Sequence, residues 1–415
     1  MAAATTPDDE DEKGTFFSEG QLVFNGKGSL EVTGNKKHGI VSDDYIRFRT
    51  GTNIYITASN GHGIKANDYV AIGGGVLNIE VSGTAKKGIS SDGYVLVSGG
   101  RTTILTSGDG EYDEDEDDVS GAAGIKADLY FQMEGGQLNI KSTGAGGKGI
   151  NTDGEIIIND GDIQVITTGQ TFTYSSDLDS KAKAIKSDTD VTVNGGTIKI
   201  KTTGGEGSEG LEAKGVMNIN GGEIEIATYD DCINSAGDMY LNGGYIYAFA
   251  TNNDAIDSNG DLYIKGGVIV ALGASGAECA IDAAEGKNIY ITGGTVVGVG
   301  GSNASYPASS SSQMSIAFQA SVSTGSTLTV ADGSDAILSF TIKRGYQSGL
   351  YLISSPDFKN GTSYTVYSGS SVSGDDWHGL YTDPSVSNVG TELGSVTAQA
   401  TAGGNSMGGM QGGRP

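Results

Sequence analysis

The chain of 415 residues has two cysteines, five prolines and one tryptophan, and each scarcity excludes something. Cys232 and Cys279 lie 47 residues apart, which gives neither a disulfide framework nor a zinc-ligand spacing. Both read as small buried hydrophobes. Lysine and arginine number 25 against 51 acids, a net charge of −26, which argues against nucleic acid as a partner. No apolar run is long enough to span a bilayer, and no stretch sustains helical periodicity. A collagen-like Gly-X-Y period is missing too. The 69 glycines, with 36% hydrophobic residues, therefore point to tight turns between short packed strands rather than to disorder.

What is present is a repeat. An apolar anchor recurs at Ile40, Ile64, Ile89, Ile125, Ile150, Ile185, Leu211, Ile233, Ile256 and Ile281, mostly at spacings of 22 to 26 residues. Each anchor is followed by a small residue, an alternating strand, a Gly-Gly turn and a second alternating strand. Val191-Thr-Val-Asn-Gly-Gly-Thr-Ile-Lys-Ile200 is the clearest copy. Period-two alternation puts apolar side chains on one face of each strand. One such unit cannot bury that face alone, but units stacked about 4.8 Å apart can. The unit is too short for a propeller blade and has the wrong consensus for a leucine-rich repeat. The expected fold is all-β: a right-handed, single-stranded parallel β-helix of about ten rungs with a C-terminal β cap.

The expected organisation is a solvated leader over 1–19, the β-helix over 20–301, the β cap region over 302–400 and a flexible Gly-rich tail over 401–415. The leader's opening Met-Ala-Ala-Ala and acidic run look like what a removed export signal would leave. No signal peptide is visible in the chain itself, so the compartment is inferred rather than read: extracellular or cell-surface, with a lipid anchor as one form of it. Two wider anchor spacings, 36 and 35 residues, mark insertions at Gly108–Gly121 and Gln170–Lys181. The first carries eight acids and reads as a solvated, self-repelling loop, with local calcium binding as the alternative.

In a β-helix, equivalent positions form vertical columns. Two residues before the anchor stand His38, His62, Lys87, Ala123, Lys148 and Lys183, then Glu209, Asp231, Asp254 and Cys279. Just after the anchor stand Lys65, Ser90, Lys126, Asn151 and Lys186, then Glu212, Asn234, Asp257 and Asp282. Asp230, Asn253 and Glu278 flank the acidic half. Both columns switch from basic to acidic near residue 205. Two carboxylates one rung apart repel by about 3 kcal/mol at an effective dielectric of about 20. A hard cation would offset that, and Ca²⁺ accepts irregular sets of oxygens. The expected metal ligands are Glu209, Glu212, Asp230, Asp231, Asn234, Asn253, Asp254, Asp257, Glu278 and Asp282. The basic columns, His38, His62, Lys65, Lys87, Lys126, Lys148, Lys183 and Lys186, are the expected strip for an acidic glycan. The alternative for the lysines is that they balance an acidic surface.

The unit Lys-Gly-Ile-x-x-Asp-Gly, strand, Gly-Gly, strand, best seen at Lys148–Gly154, resembles the bacterial calcium-containing, polygalacturonate-binding β-helix proteins, a carbohydrate-binding family similar in structure to pectate lyases. The resemblance covers about residues 20 to 300. It implies calcium between rungs, export, and affinity for acidic plant polysaccharide without defining catalysis. Cys279 departs from it, standing where a carboxylate is expected. Polygalacturonase-type motifs occur only scattered, as Asn151-Thr152-Asp153, Asp230-Asp231 and Gly61-His62-Gly63. The first two lie three rungs, about 14 Å, apart, too far for an inverting carboxylate pair. No arginine falls in the acidic rungs, and Lys214 is the nearest candidate base for lyase chemistry. The expected function is a monomeric, calcium-dependent binder of acidic polysaccharide such as polygalacturonate. A pectate-lyase-like enzyme and a surface adhesin are the alternatives.

Overall fold

The computed structural model describes residues 13–303 and 305–402 and is all-β. The first twelve residues, Ala304 and the tail from 403 lie outside the described residues, as does Arg414. The chain divides into two compact units, residues 1–188 with 203–207, and 189–202 with 208–415.

The first unit stacks seven parallel strands through the anchor column: Gly14–Ser18, His38–Ser42, Ile64–Ala66, Lys87–Ser91, Ala123–Ala127, Lys148–Thr152 and Ile185–Ser187. The register sets Ile40 on Ile64, Ile64 on Ile89, Ile89 on Ile125, Ile125 on Ile150 and Ile150 on Ile185. All six are fully buried. Below Ile40 stands Phe16, so Gly14–Ser18, read from the sequence as leader, is a rung. Its acidic approach and its Phe in place of Ile hid it.

The second unit stacks four anchor strands, Leu211–Ala213, Ile233–Ser235, Ile256–Ser258 and Ile281–Ala283, in the same register. The rungs therefore number eleven, one more than the sequence suggests. The Gly-Gly turns have a steric cause: Gly196, Gly222, Gly244, Gly267 and Gly294 all sit at φ between 83° and 92°, where L side chains are strained. Outside the turns an asparagine ladder runs up the stack, Asn220 Nδ2 donating to Asn194 Oδ1 and Asn242 Nδ2 to Asn220 Oδ1, each at 2.7 Å. Asn220→Ala breaks both links at an exposed position and is expected to cost about 1 kcal/mol in a urea melt.

Beyond Thr295–Gly300 the pairing turns antiparallel. Tyr346–Ser354 lies against that strand and against Ser315–Val322. A five-stranded antiparallel sheet follows, in the order Leu380–Tyr381, Asp335–Thr341, Thr327–Asp332, Ser363–Ser368, Thr391–Thr397. The core is continuous from Val297 and Val299 through Phe318 and Tyr351 to Phe340 and Val366. The strand edge that a parallel stack would expose is thereby covered.

Candidate functional site

The column two residues before the anchor has a backbone job that the sequence does not announce. In the strand that follows, the two amides at −1 and at the anchor reach forward to the next rung, as Gly39 N does to His62 O and Ile40 N to Gly63 O. The amide at −2 points back instead and needs an acceptor. Side chains provide it: His38 Nδ1 accepts from His62 N at 2.8 Å, and His62 Nδ1 from Lys87 N at 2.9 Å. In the second unit Asp231 Oδ1 accepts from Asp254 N at 3.0 Å, and Asp254 Oδ1 from Cys279 N. Lysine and alanine cannot accept, and there the amide turns to a neighbouring carbonyl: Ala123 N to Lys86 O, Lys148 N to Ala122 O.

For the two histidines this settles the protonation state. Their rings stack at 4.8 Å. Burial first, then Lys65, Lys86 and Lys37, lower His38 to about 4. Burial first, then His38 and the nearby lysines, hold His62 well below its ordinary value. Both are neutral near pH 7 with Nδ1 committed, so neither adds positive charge to the basic strip.

In the second unit the two acidic columns converge. Carboxylate oxygens of Asp254, Asp257 and Asp282 lie within 4.8 Å of one another. Asp254 comes from the −2 column, and Asp257 and Asp282 are register partners in the +1 column. Asn234 extends the group, its Nδ2 donating to Asp231 Oδ2 at 3.0 Å and to Asp257 Oδ2 at 3.5 Å. Desolvation, followed by the charges of Asp230 and Asp257, raises Asp231 to about 8. Desolvation, then Asp282, Asp257 and Glu278 working against the Cys279 amide, raises Asp254 to about 7. Desolvation, then Asp282 and Asp230, raises Asp257 to about 6. Without a countercharge these groups hold protons close to neutrality. The donor set is all hard oxygen and partly buried, which fits a calcium-type cation.

The other expected ligands stand further off. Glu209 acts on Asp231 through charge, and Glu278 on Asp254. Asn253 offers its carbonyl to Ala274 N. Glu212 is buried and pairs with Lys214, so that lysine is a salt-bridge partner rather than a poised base. Cys279 closes the column with its thiol against Asp282, which, after burial, keeps the thiol protonated. Both cysteines are free and buried.

In the first unit the lysine columns floor a cleft of about 460 Å³. Lys87, Lys126, Lys148, Lys181, Lys183 and Lys186 line it, together with as many acids, Asp113, Glu116, Asp118, Asp153, Asp179 and Asp188. Its wall is built by the two insertions, whose pairing no spacing or motif announces. Glu111–Asp113 and Asp118–Ser120 form one antiparallel hairpin, Phe172–Thr173 and Asp179–Ser180 another. Tyr112 of the first stacks on Tyr174 of the second at 4.0 Å. The acidic run is thus a structured wall. Several lysines lean on carboxylates: Lys126 on Asp153 and, at 3.4 Å, Asp128, and Lys186 on Asp188. Lys65 pairs with Asp92. Lys87 differs, since its ammonium donates to two neutral oxygens, Ala85 O at 2.7 Å and Ser120 Oγ at 2.8 Å. Burial, then Lys86 and Lys126, lowers it to about 8. Asp113 opposes that shift but does not cancel it.

Tyrosines form two ladders, Tyr45–Tyr69–Tyr94–Tyr130 and Tyr240–Tyr263–Tyr290, with rings 4.7 to 4.9 Å apart and nearly parallel. Their faces are spent on one another, so the ladders show solvent their edges and hydroxyls.

A family model described as "Carbohydrate-binding domain-containing protein" matches residues 1–110, 78–171 and 170–251, together more than half of the chain. Comparison with curated proteins and with solved structures gives no match. Among the described residues no helix is long and apolar enough to cross a membrane.

Proposed function

We propose, from the premise that this chain belongs to the family of carbohydrate-binding domain-containing proteins, that its glycan is an acidic polysaccharide of the polygalacturonate class, taken up in the lysine-floored cleft. That it is a carbohydrate-binding protein of β-solenoid fold rests on the family and the rungs; the acidic class rests on the cleft. The observation that carries it is Lys87, a buried ammonium whose hydrogen bonds run to neutral oxygens, with Lys86, Lys126 and Lys65 around it and Asp113 opposing them. A carboxylate arriving there meets an ammonium held by neutral oxygens rather than by a carboxylate. At Lys126 and Lys186 it must displace Asp153 and Asp188, but such exposed pairs are worth at most about 1 kcal/mol. The open shape suits a chain rather than an enclosed small molecule.

Calcium is the second component of this reading. Asp254, Asp257 and Asp282 would hold it, with Asp231 and Asn234 beside them, and it would supply positive charge to an otherwise repulsive cluster. The test is retention on polygalacturonate gel against cellulose, with calcium and with chelator. Stronger retention on polygalacturonate than on cellulose is expected, lost in Lys87→Glu, and equal retention on both polymers overturns the acidic assignment.

Lyase chemistry is the second reading, favoured by the same Lys87, since an amine held near 8 is basic enough to abstract a proton and free enough to be neutral part of the time. Unsaturated products are not expected to accumulate from polygalacturonate. Their appearance, and disappearance in Lys87→Met, would replace binding with catalysis.

A further inference from the structure

The single tryptophan, Trp377, stands in the second unit at the start of a two-residue turn. Trp377 N donates to Leu380 O at 3.0 Å and Leu380 N to Trp377 O at 2.9 Å. The residues between them, His378 and Gly379, sit at φ +50° and +90°, the pattern of a type I′ hairpin. Histidine is among the non-glycine residues that tolerate a left-handed position, though Asn-Gly is the favoured pair for such a turn. What the histidine does is visible: its ring stacks on Tyr247 at 4.0 Å, and its Nε2 lies 3.5 Å from Glu225 Oε1. Glu225 is also held by Lys199 Nζ at 3.1 Å. The hairpin is thereby clamped onto the outer face of the parallel strands Thr197–Thr202, Glu223–Thr228 and Tyr245–Ala250.

The clamp leaves Tyr245 exposed beside a half-buried Trp377, which also packs against the core of the cap. Trp377 meets Tyr247 and His378 edge-on, at 88° to both, and Tyr245 at 62° with centroids 5.5 Å apart. Tyr245 has Glu223 and Val268 as its register neighbours, so no ring lies on it from the rungs above and below, and it is 51% exposed. This is the reverse of the tyrosine ladders, where every inner ring is covered on both sides. Among the described residues Trp377 Nε1 makes no hydrogen bond. Two tilted aromatic faces, an indole N–H, a carboxylate and an ammonium therefore share one patch. Aromatic faces attract the C–H face of a pyranose, and the flanking polar groups match ring hydroxyls.

We propose that Tyr245 and Trp377 form a stacking subsite for a neutral pyranose unit of a polysaccharide, with Glu225 and Lys199 hydrogen-bonding its hydroxyls. The subsite rests on the carbohydrate-binding reading but not on the acidic one. It is distinct from the lysine cleft in residues and in ligand class. A neutral sugar fits because stacking needs no charge, and Glu225 beside the rings would repel a uronate carboxylate.

The chain's one tryptophan makes its emission a reporter of this site alone. Cellohexaose, galactohexaose and mannohexaose are titrated separately into the full chain, with trigalacturonate as the charged comparison. At least one neutral hexaose is expected to shift Trp377 emission saturably. Tyr245→Ala is expected to weaken that titration about tenfold, the loss of one stacking face. Lys87→Glu, in the other unit, is expected to leave it unchanged. Trp377→Phe, followed by calorimetry, keeps a ring and should bind several-fold more weakly than the parent while melting at the parent's temperature. No emission change with any neutral hexaose overturns the subsite, as does an identical titration in Tyr245→Ala or a response to trigalacturonate alone. Retention on polygalacturonate that survives such a result would leave the lysine cleft standing, so the two readings fail separately.

Discussion

In excess chelator, the melting temperature of the second unit is expected to rise by about 4–8 °C as pH is lowered from about 8 to about 4, and millimolar calcium is expected to remove most of that dependence. Asp231, Asp254 and Asp257 are raised from 3.8 to about 8, 7 and 6. A carboxylate with a raised folded value binds its proton more tightly in the native state than in the unfolded one. Its stabilisation is therefore complete at low pH and is lost as pH climbs through the folded value. The window runs from about 4 up to about 8. Asp257, partly exposed and raised from 3.8 to about 6, accounts for about 2 kcal/mol once solvent screening is allowed for. At about 2–4 °C per kcal/mol for a unit of this size, the stated range follows. Calcium competes with those protons, because it needs the ionised oxygens and offsets the same repulsion. Asp257→Asn should raise the chelator melt at pH 8 and blunt the calcium response together, which a purely structural carboxylate would not do. A melt indifferent to pH in chelator, or a calcium response undiminished in Asp254→Asn with Asp257→Asn, would sink the cation site.

The rungs were legible because stacking makes every unit repeat the same burial problem. A fully buried anchor, a turn glycine at positive φ and alternating strands recur about every 24 residues whether or not neighbours are known. The columns were legible for the same reason, and the register confirms that Asn234, Asp257 and Asp282 stand in line. What spacing could not convey was the direction in which the −2 side chains turn. Asp231 and Asp254 bend back to catch an amide of the next rung, and that demand comes from backbone geometry, not from charge. His38 and His62 answer the same demand, so their place in a basic column was no guide to their charge. The wall of the cleft was hidden because it depends on two insertions 60 residues apart meeting through Tyr112 and Tyr174. Trp377 was hidden for a like reason: its partners Tyr245 and Tyr247 are about 130 residues earlier, and a lone tryptophan carries no period.

Affinity for polygalacturonate fragments is expected to fall by at least about a hundredfold when Lys87, Lys183 and Lys186 are changed together to glutamate. Lys183 is only 8% exposed and Lys87 is buried enough to lose part of its basicity, so contacts made there are poorly screened. A charge-assisted hydrogen bond of this kind is worth about 1.5–3 kcal/mol, and reversing the sign adds repulsion to its loss. Two such contacts already give the stated factor. The pH profile separates Lys87 from the rest. Its folded value is lowered to about 8, so it is an ammonium below that pH and increasingly an amine above it. An anion favours the protonated form, so affinity should be full at pH 7 and should decline between about pH 8 and pH 9.5. Lys87→Met should bind weakly at pH 7 and show no further decline, and its melting temperature should equal or exceed the parent's, because a desolvated ammonium has been removed. Calorimetry at both pH values and at two salt concentrations reads all of this. Binding by the triple variant that matches the parent, or a pH decline that persists in Lys87→Met, would move the glycan out of the cleft and leave the lysines as partners of the acids around them.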